Sequence, residues 1–316
     1  MRAVQTVGCS IGCVLVETRV AIIGVFDGVH RGHQAVIAQA RALAGDGTVV
    51  AITFDPHPRR VLDAVHAPAM LMSLEERIEA LREAGVDDVV VVPFTEDLSR
   101  LSPQEFAADF IGGRARASDV VLGENFRFGY KASGDVATLR AIGRTSGFDV
   151  HALDLHGDVE RFSSTRVREA LSAGDIAQVT LVLGRPFAYR GVVVHGDHRG
   201  RTLGVPTANL EVSADRSLPV DGVYAGSVRV RGDDDPAMPA AISVGSNPQY
   251  GGVQRRIEAH VIDRDDLDLY DREIDVAFTH WIRGQQVFDS EEEFIEQMQS
   301  DIAAARAVAR TPGSSW

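Results

Sequence analysis

The stretch Gly24-Val-Phe-Asp-Gly-Val-His-Arg-Gly-His33 decides the fold of the first half of this chain. It begins inside an apolar run, residues 20–25, that predicts a buried strand. It is followed by residues 34–44, whose apolar side chains recur at helical spacing up to the next glycine. A strand, a glycine-rich turn and a helix N-terminus present backbone N–H groups and the positive end of a helix dipole to a bound anion. The sequence therefore predicts an anion site at this turn, with His30 and His33 directed at it.

The rest of the first half repeats the pattern of strand followed by helix. Ser73 with Glu76, and Ser102 with Glu105, are the residues expected at helix starts. Short apolar runs alternate with stretches long enough for a helix, and these runs are residues 49–54, 89–92, 120–122 and 150–153. Repeated units of this kind predict a doubly wound, Rossmann-like parallel sheet with helices on both faces. Ligands of such sheets bind beyond the carboxyl ends of the strands, so we expect functional side chains directly after each strand.

Polar and aromatic clusters follow three more of these strands. Each cluster alone has an ordinary structural explanation, such as an N-cap or a turn residue, but their coincidence at successive strand ends favours one shared ligand site. The candidate residues are Asp55 and His57 after the second strand, Asn125, Phe126, Arg127 and Phe128 after the fourth, and Arg161, Ser163, Ser164, Thr165, Arg166 and Arg168 after the fifth.

The second half has a different pattern. Alternating, β-rich runs are punctuated by Gly, Asp and Pro, and they are residues 189–195, 222–230, 240–244, 257–262 and 274–282. This pattern predicts a small antiparallel barrel or sandwich. Ser290 with Glu293 indicates a capping box, and the apolar positions after it predict an amphipathic helix that covers one opening or face of the barrel. We place the boundary near Leu183, which divides the chain into domains at residues 19–183 and 184–310.

A second glycine-rich stretch lies near the start of the predicted barrel. Gly196, Gly200 and Gly204 recur every four residues, which lets a loop approach a phosphate chain closely. Thr207 and Asn209, two positions apart in an extended segment, place a hydroxyl and an amide oxygen on the same side, as a hard Mg²⁺ ion requires. The alternative is that these glycines mark ordinary turns of a β-protein.

Composition narrows the classes of function. The net charge of −13 argues against a general nucleic-acid-binding protein, which needs a basic surface. Lys131 is the only lysine and no P-loop motif occurs, so phosphate recognition must use arginine, histidine, backbone amides and metal ions. No apolar run is long enough to span a membrane, and the pair Cys9 and Cys13 has no further cysteine to complete a metal site. We expect a cytoplasmic enzyme.

Taken alone, the loop at His30 could be a plain turn with two surface histidines. As a whole, however, it resembles the His-x-Gly-His nucleotidyltransferases. With the strand-end clusters, it resembles the FMN adenylyltransferase half of the prokaryotic bifunctional riboflavin kinase/FAD synthetases. The resemblance implies that His30 and His33 hold the phosphates of ATP and stabilise the leaving pyrophosphate. It implies nucleotide and flavin binding by the strand-end residues named above and by Gly24, Phe26, Asp27, Gly28 and Gly32.

The second half resembles the riboflavin kinase module of the same family. The resemblance rests on the glycine-rich stretch and on Gly222-Val-Tyr-Ala225, Ser243-Val-Gly-Ser-Asn-Pro248 and Arg256-Ile-Glu-Ala-His260. It implies that Glu258 is the general base for the 5′-hydroxyl of riboflavin and that Thr207 and Asn209 ligate Mg²⁺. It implies nucleotide binding by Gly196, Gly200, Arg201, Gly204 and Pro206.

The family resemblance leads to one main hypothesis and several alternatives. The main one is a bifunctional enzyme that makes FMN from riboflavin and then FAD from FMN, with Mg²⁺-ATP in both steps and with its oligomeric state open. Phe162 departs from the family pattern but is still apolar. Gln249 and Asp271 also depart from it, which leaves open that one domain, with these departures pointing to the kinase, has kept only a flavin-binding or regulatory role. A flavin sensor without turnover and an aminoacyl-tRNA synthetase are the further alternatives. The synthetase lacks support because the chain has no lysine-rich second motif.

Overall fold

The computed structural model of the protein describes residues 18–153, 162–195, 205–246 and 255–310. Strands and helices alternate through the first half, as the sequence predicts. The strands are β1 (Arg19–Ile23), β2 (Thr48–Asp55), β3 (Asp88–Pro93), β4 (Asp119–Gly123) and β5 (Asp149–Leu153). The helices are α1 (Arg31–Ala44), α2 (Pro58–Leu62), α3 (Leu74–Glu83), α4 (Glu96–Ser99), α5 (Pro103–Phe106), α6 (Val136–Ser146), α7 (Ser164–Ala173) and α8 (Ile176–Leu183).

The first-half strands form a parallel sheet in the order β3-β2-β1-β4-β5. Side chains alternate across β1. Val20 and Ile22 pack on the face that α1 and α3 cover, and Ala21 and Ile23 pack on the opposite face with residues of α5 and α6. The predicted doubly wound sheet is thereby confirmed. The strand order reverses between β1 and β4, so the crevice beyond their carboxyl ends is the expected ligand site.

Two of the predicted helix starts agree with the structure, and one segment differs. Ser73 and Ser102 form reciprocal capping boxes with Glu76 and Glu105 at the starts of α3 and α5. Helix α5 runs directly into a π-helical segment, Ala107–Ala115, which propensity and periodicity did not predict. Short 3₁₀ turns at Ala64–His66 and Tyr130–Ala132 complete the first half.

The second half forms a closed antiparallel barrel, which decides between the two predicted β-architectures. Its strands are β6 (Phe187–Val194), β7 (Ala208–Glu211), β8 (Gly222–Val230), β9 (Met238–Gly245), β10 (Arg256–Val261) and β11 (Glu273–Gly284), in the order β10-β7-β6-β11-β8-β9. Alternate residues of each strand fill the barrel, as Ile257 and Ala259 of β10 and Ile242 of β9 do. The residues between them lie on the outer wall.

The closing helix, α9 (Glu291–Ala309), packs on the outer wall of the barrel. Ile302 and Ala305 contact Ala225 and Ala241 there, so the helix covers a face. Ser290 caps the helix as predicted. The Glu293 carboxylate, however, accepts a hydrogen bond from the Asp289 N–H at 3.3 Å, whereas the predicted capping box would use the Ser290 N–H.

Helices α7 and α8 join the two halves. Val167, Leu171 and Val179 share one apolar cluster with barrel residues such as Phe187 and Phe278. Helix α8 ends at Leu183, the residue near which the sequence analysis places the domain boundary. Within the described ranges, no helix combines the length and apolar character needed to cross a membrane.

Candidate active sites

The loop between β1 and α1 holds its two histidines against each other. His30 is the N-cap of α1, and its Nδ1 atom accepts a hydrogen bond from the His33 N–H at 3.4 Å. The two rings stack with centroids 3.6 Å apart, and Phe26 lies edge-on to His33 at 5.2 Å. Both imidazoles therefore lie at the N-terminus of a helix, where backbone N–H groups and the helix dipole favour an anion.

Burial controls the charge of these histidines. Burial, followed by the positive charges of Arg185 and Arg168, lowers the pKa of His30 to about 4. Burial, followed by the nearby His30, keeps the pKa of His33 well below its ordinary value. The Nδ1 atom of His33 has no hydrogen-bond partner among the described residues. Both rings are therefore neutral at neutral pH, and a polyanion in contact with them would favour their protonated forms.

Close packing explains two glycines of the loop. Gly28 has φ +83°, and a Cβ atom there would lie 2.8 Å from Leu71 Cδ1. A Cβ atom on Gly32 would lie 3.0 Å from the carbonyl oxygen of Phe162 and 3.1 Å from the ring of His30. Any larger residue at position 32 would thus push the histidine away from its place.

Asp27 and Arg168, both predicted to bind nucleotide, pair with each other. The Asp27 carboxylate is 2% exposed, forms an ion pair with Arg168, and accepts hydrogen bonds from the N–H groups of Leu71 and Met72 at 3.0 and 3.3 Å. Burial raises the pKa of Asp27, and Arg168 opposes that rise. Ser164 donates a hydrogen bond to the Asp27 carbonyl at 2.8 Å. The start of α7 is thereby attached to the loop between β1 and α1, which we call the histidine loop.

The cluster after β2 lies beside the same residues. The Asp55 carboxylate accepts a hydrogen bond from Arg77 at 3.2 Å, and Arg77 also donates to the Val25 carbonyl at 3.0 Å. His57 caps α2, and burial, followed by the charge of Arg168, lowers its pKa to about 4. Arg77 is fully buried and links the ends of β1 and β2.

The cluster after β4 is organised around its aromatic rings. Phe126 and Phe128 stack with centroids 5.5 Å apart, and Phe128 is buried against Phe106. Asn125 and Arg127 are exposed. Among the described residues, the hydrogen bonds and ring contacts of this cluster do not reach the two histidines. Phe126 and Phe128 pack instead into the apolar cluster on the sheet face opposite the one that α1 covers.

Several predicted residues complete or fall outside this site. Ser163 caps α7 by accepting a hydrogen bond from the Arg166 N–H at 3.2 Å, and Thr165 is exposed. Gly24 packs against the ring of Phe26. The predicted residues Arg161, Gly196, Gly200, Arg201 and Gly204, and the departure at Gln249, lie outside the described residues.

On the barrel, the strand register places Glu258 in a row of outward-facing residues. Glu258 lies opposite Asn209 of β7 on one side and opposite Ser243 of β9 on the other. Ser243 lies opposite Val223 of β8, which is itself paired with Arg283 of β11. Directly opposed residues of antiparallel strands point to the same face, so five strands bring these side chains to one surface.

Helix α9 turns this surface into a cavity. The walls are Glu258, Thr207, His260 and Ser243 from the barrel, Phe294 and Asp301 from the helix, and Gln285 and Phe288 from the segment that joins them. At the base, the Asp301 carboxylate accepts hydrogen bonds from Arg283 Nε at 3.0 Å and Arg283 Nη2 at 2.6 Å, and from Gln297 at 2.9 Å. An apolar wall beside the Glu258 carboxylate suits a flat, largely apolar substrate with a reactive hydroxyl.

Thr207 and Asn209, the predicted Mg²⁺ ligands, lie next to each other. The Asn209 amide N–H donates a hydrogen bond to the Thr207 hydroxyl at 3.4 Å, so the two side chains are adjacent. Within the described ranges, His, Cys, Asp and Glu residues do not form a metal-ligating group of three. A cation held here would take its remaining ligands from phosphates and water, which is typical of Mg²⁺. The carbonyl of the neighbouring Pro206 is occupied by His260 Nδ1 at 2.8 Å.

Sequence reasoning missed the residues that support these sites from a distance. Arg77, Arg185, Gln285 and the pair of Arg283 with Asp301 were not singled out. Asp301 carried the only available signal, because it is a carboxylate in the helix register between the apolar positions Met298 and Ile302.

The fold and the two sites define a nucleotide-dependent transferase with one site on a doubly wound sheet and another on a β-barrel. The family model described as FAD synthetase matches residues 15–166, and the one described as riboflavin kinase matches residues 183–309. The bifunctional riboflavin kinase/FMN adenylyltransferase of Escherichia coli (strain K12) is 38% identical over 93% of this chain and 92% of its own length. The protein of the same name from Listeria monocytogenes is 36% identical over 92% of each chain.

The chain belongs to the bifunctional riboflavin kinase/FMN adenylyltransferase family, and it is a transferase with both activities. Matches in both halves support two activities over a single active domain. A crystal structure described as a macrolide-efflux protein from Streptococcus pneumoniae has the same fold, with a TM-score of 0.81 and 30% identity over 92% of this chain and 94% of that one.

Proposed function

We propose that residues 184–310 phosphorylate riboflavin to FMN and that residues 19–183 transfer an adenylyl group to FMN, with Mg²⁺-ATP as the donor in both steps. The substrates are riboflavin, FMN and ATP, and the products that leave are ADP, pyrophosphate and FAD. We place the enzyme in the cytoplasm, where ATP is supplied and the two cysteines stay reduced.

In the adenylyl transfer, an oxygen of the FMN phosphate attacks the α-phosphorus of ATP, and the bond to the β-phosphate breaks. No side chain needs to form a covalent bond, so catalysis rests on position and charge. His30 and His33, stacked at the start of α1, hold the β- and γ-phosphates and stabilise the charge on the leaving pyrophosphate. Asn125 and the Phe126–Phe128 pair form the opposite wall for the nucleotide and flavin.

In the phosphorylation, Glu258 accepts the proton of the riboflavin 5′-hydroxyl while that oxygen attacks the γ-phosphorus of ATP and ADP leaves. A carboxylate suits this role when it lies within hydrogen-bond reach of the hydroxyl. The cavity under α9 holds the flavin ring, and the glycine-rich stretch at residues 196–204 binds the phosphates. Thr207 and Asn209 would hold Mg²⁺, which when bound neutralises phosphate charge.

One observation carries this proposal. Glu258 and Asn209 are opposed across two strands at the edge of a partly apolar cavity, so a base and a metal ligand lie side by side. A solvated glutamate on the outer wall of a barrel would have neither neighbour.

Two substitutions test the separation of the sites. His33→Ala should slow FAD formation from supplied FMN by about 10²–10³-fold, because it removes charge stabilisation of the leaving group. Glu258→Gln keeps the shape but cannot accept a proton, so FMN formation should slow by about 10²–10⁴-fold, chiefly in kcat. Each variant should leave the other reaction unchanged. The measurement is chromatography of flavins after incubation with riboflavin or FMN, ATP and MgCl₂.

Exposed residues of the same types provide matched controls. His280→Ala and Glu273→Gln, both on β11, should keep both rates near those of the native protein. Normal FMN production by Glu258→Gln, or normal FAD production by His33→Ala, would contradict the corresponding site assignment.

A further inference from the structure

The histidine loop adopts a backbone conformation that needs outside support. Phe26 has φ 55° and Val29 has φ 39°, values that side chains of this size rarely adopt. Such residues persist only where the surrounding structure holds them, and they concentrate at functional sites. The groups that fix Val29 and its neighbours therefore fix the direction of His30.

The main group that holds this loop comes from the other half of the chain. Arg185, two residues before β6 and inside the stretch that the riboflavin kinase model matches, donates to the Gly28 carbonyl at 2.9 Å and to the Val29 carbonyl at 3.4 Å. Gln34 of α1 donates to the Val29 carbonyl at 2.8 Å and to the Leu183 carbonyl at 2.9 Å. The guanidinium thus holds the two carbonyls that directly precede His30.

A second contact from the barrel half reaches the same loop indirectly. The Met70 N–H donates to the Asp215 carbonyl at 2.7 Å, and the Ser217 N–H donates to the Met70 carbonyl at 2.8 Å. The next residue along, Leu71, donates its N–H to the buried carboxylate of Asp27 at 3.0 Å. Both sides of the turn at Gly28 are therefore supported by residues that come after position 184.

We propose that Arg185 is a positioning residue for adenylyl transfer: the barrel half supplies the guanidinium that holds the Gly28 and Val29 carbonyls and aims His30 at the triphosphate. This inference rests on the proposed role of the two histidines. It makes the adenylyltransferase site dependent on a residue of the kinase half. Catalytic geometry displaced by about 1 Å commonly costs about 10²-fold in rate, which sets the scale of the effect.

Full-length variants with different charge and shape test the role of Arg185. Arg185→Met removes the charge and the hydrogen bonds, and FAD formation from supplied FMN should fall about 10–100-fold in kcat. Arg185→Lys keeps the charge but loses the planar guanidinium that donates to both carbonyls, so the decrease in its rate of FAD formation should be smaller. FMN formation by the same preparations should stay within about twofold, which controls for folding. Arg229→Met, an exposed arginine that lines the same groove between the halves, is the matched control and should keep both rates.

The pH profile separates positioning from general stability. The charged groups that lower the pKa of His30 are Arg185 and Arg168, with the stacked His33 beside them and Asp27 paired to Arg168. Removing the charge of Arg185 should therefore raise the pKa of His30, and the limb of the kcat/KM profile for ATP that reports this histidine should shift toward higher pH in Arg185→Met. Arg185→Lys should keep the limb where the native protein has it.

The outcomes are distinct. Equal loss of both reactions, unchanged FAD formation in both variants, or an unshifted pH profile of kcat/KM in Arg185→Met would overturn the positioning role. If Arg185→Met fails to fold, a selective loss of FAD formation in Arg185→Lys supports the proposal, and a native rate in that variant overturns it. Normal FAD formation by His33→Ala would instead remove the proposed function on which this inference rests.

Discussion

Asp301→Ala should destabilise the barrel half and slow the kinase step together. The Asp301 carboxylate is 5% exposed and receives hydrogen bonds from Arg283 and Gln297. It attaches α9 to β11 at the base of the cavity that Glu258 also lines. The substitution leaves the guanidinium of Arg283, whose side chain is 17% exposed, without its carboxylate.

The structure sets the size of this effect. Removing one partner of a buried ion pair costs about 3–5 kcal/mol, because the remaining charge stays buried. In a chain of this size each kcal/mol lowers Tm by about 2–4 °C, so Tm should fall by about 6–20 °C. Since the helix also forms one wall of the cavity, FMN formation at 25 °C should decrease while FAD formation from supplied FMN stays near the native rate.

Thermal unfolding by calorimetry and the two rates measured in parallel test this expectation. The matched control is Asp263→Ala, which removes the partner of Arg306 at the other end of the same helix, where the Asp263 side chain is 66% exposed. An exposed pair contributes about 0–1 kcal/mol, so Tm should change little. If Asp301→Ala and Asp263→Ala unfold at the same temperature, the argument from burial is refuted.

Two further predictions concern the histidine loop. Gly32→Ala should slow FAD formation and leave FMN formation unchanged, because the new methyl group would lie 3.1 Å from the His30 ring. Flavin chromatography measures both rates, and a native rate of FAD formation in this variant would contradict the prediction. The folded protein should lose stability as the pH falls from 6.5 toward 4, since the unfolded chain takes up protons at His30 and His57 while the folded pKa of each is about 4. Calorimetry across that pH range should show a smaller loss of stability in His30→Gln than in the native protein. The same dependence of stability on pH in both proteins would count against this prediction.

Periodicity and caps predicted most of the fold because they are local properties of the chain. The runs at residues 49–54 and 222–230 became β2 (Thr48–Asp55) and β8 (Gly222–Val230) with nearly the expected bounds. The π-helical segment Ala107–Ala115 escaped prediction, since one extra residue per turn leaves no clear mark in a short apolar pattern. The four-residue strand β7 was seen only as an extended segment, because it is too short to alternate visibly.

The anion site predicted at the histidine loop could be found for the same reason. A strand, a glycine-rich turn and a helix start lie within a few residues of one another, so their chemistry can be identified without the fold. Arg77 and Arg185 could not be found in this way. Arg185 is 157 positions away from Gly28, the residue whose carbonyl it holds, and nothing in the spacing indicates that the two meet. Long-range polar contacts of this kind depend on how the halves pack.

Glu258 shows how the outer wall of a barrel becomes a site. Inward positions of β10, such as Ile257 and Ala259, are filled by the apolar core and leave no room for a substrate. The outward position of Glu258 would ordinarily face solvent, where a carboxylate has little reason to act as a base. Helix α9 changes that environment by covering the wall and adding apolar side chains, so the Glu258 carboxylate lies between a cavity and Asn209, which we propose as a metal ligand. The kinase chemistry therefore depends on the closing helix as much as on the strand that carries Glu258, and for this reason the loss of Asp301 should reach the reaction.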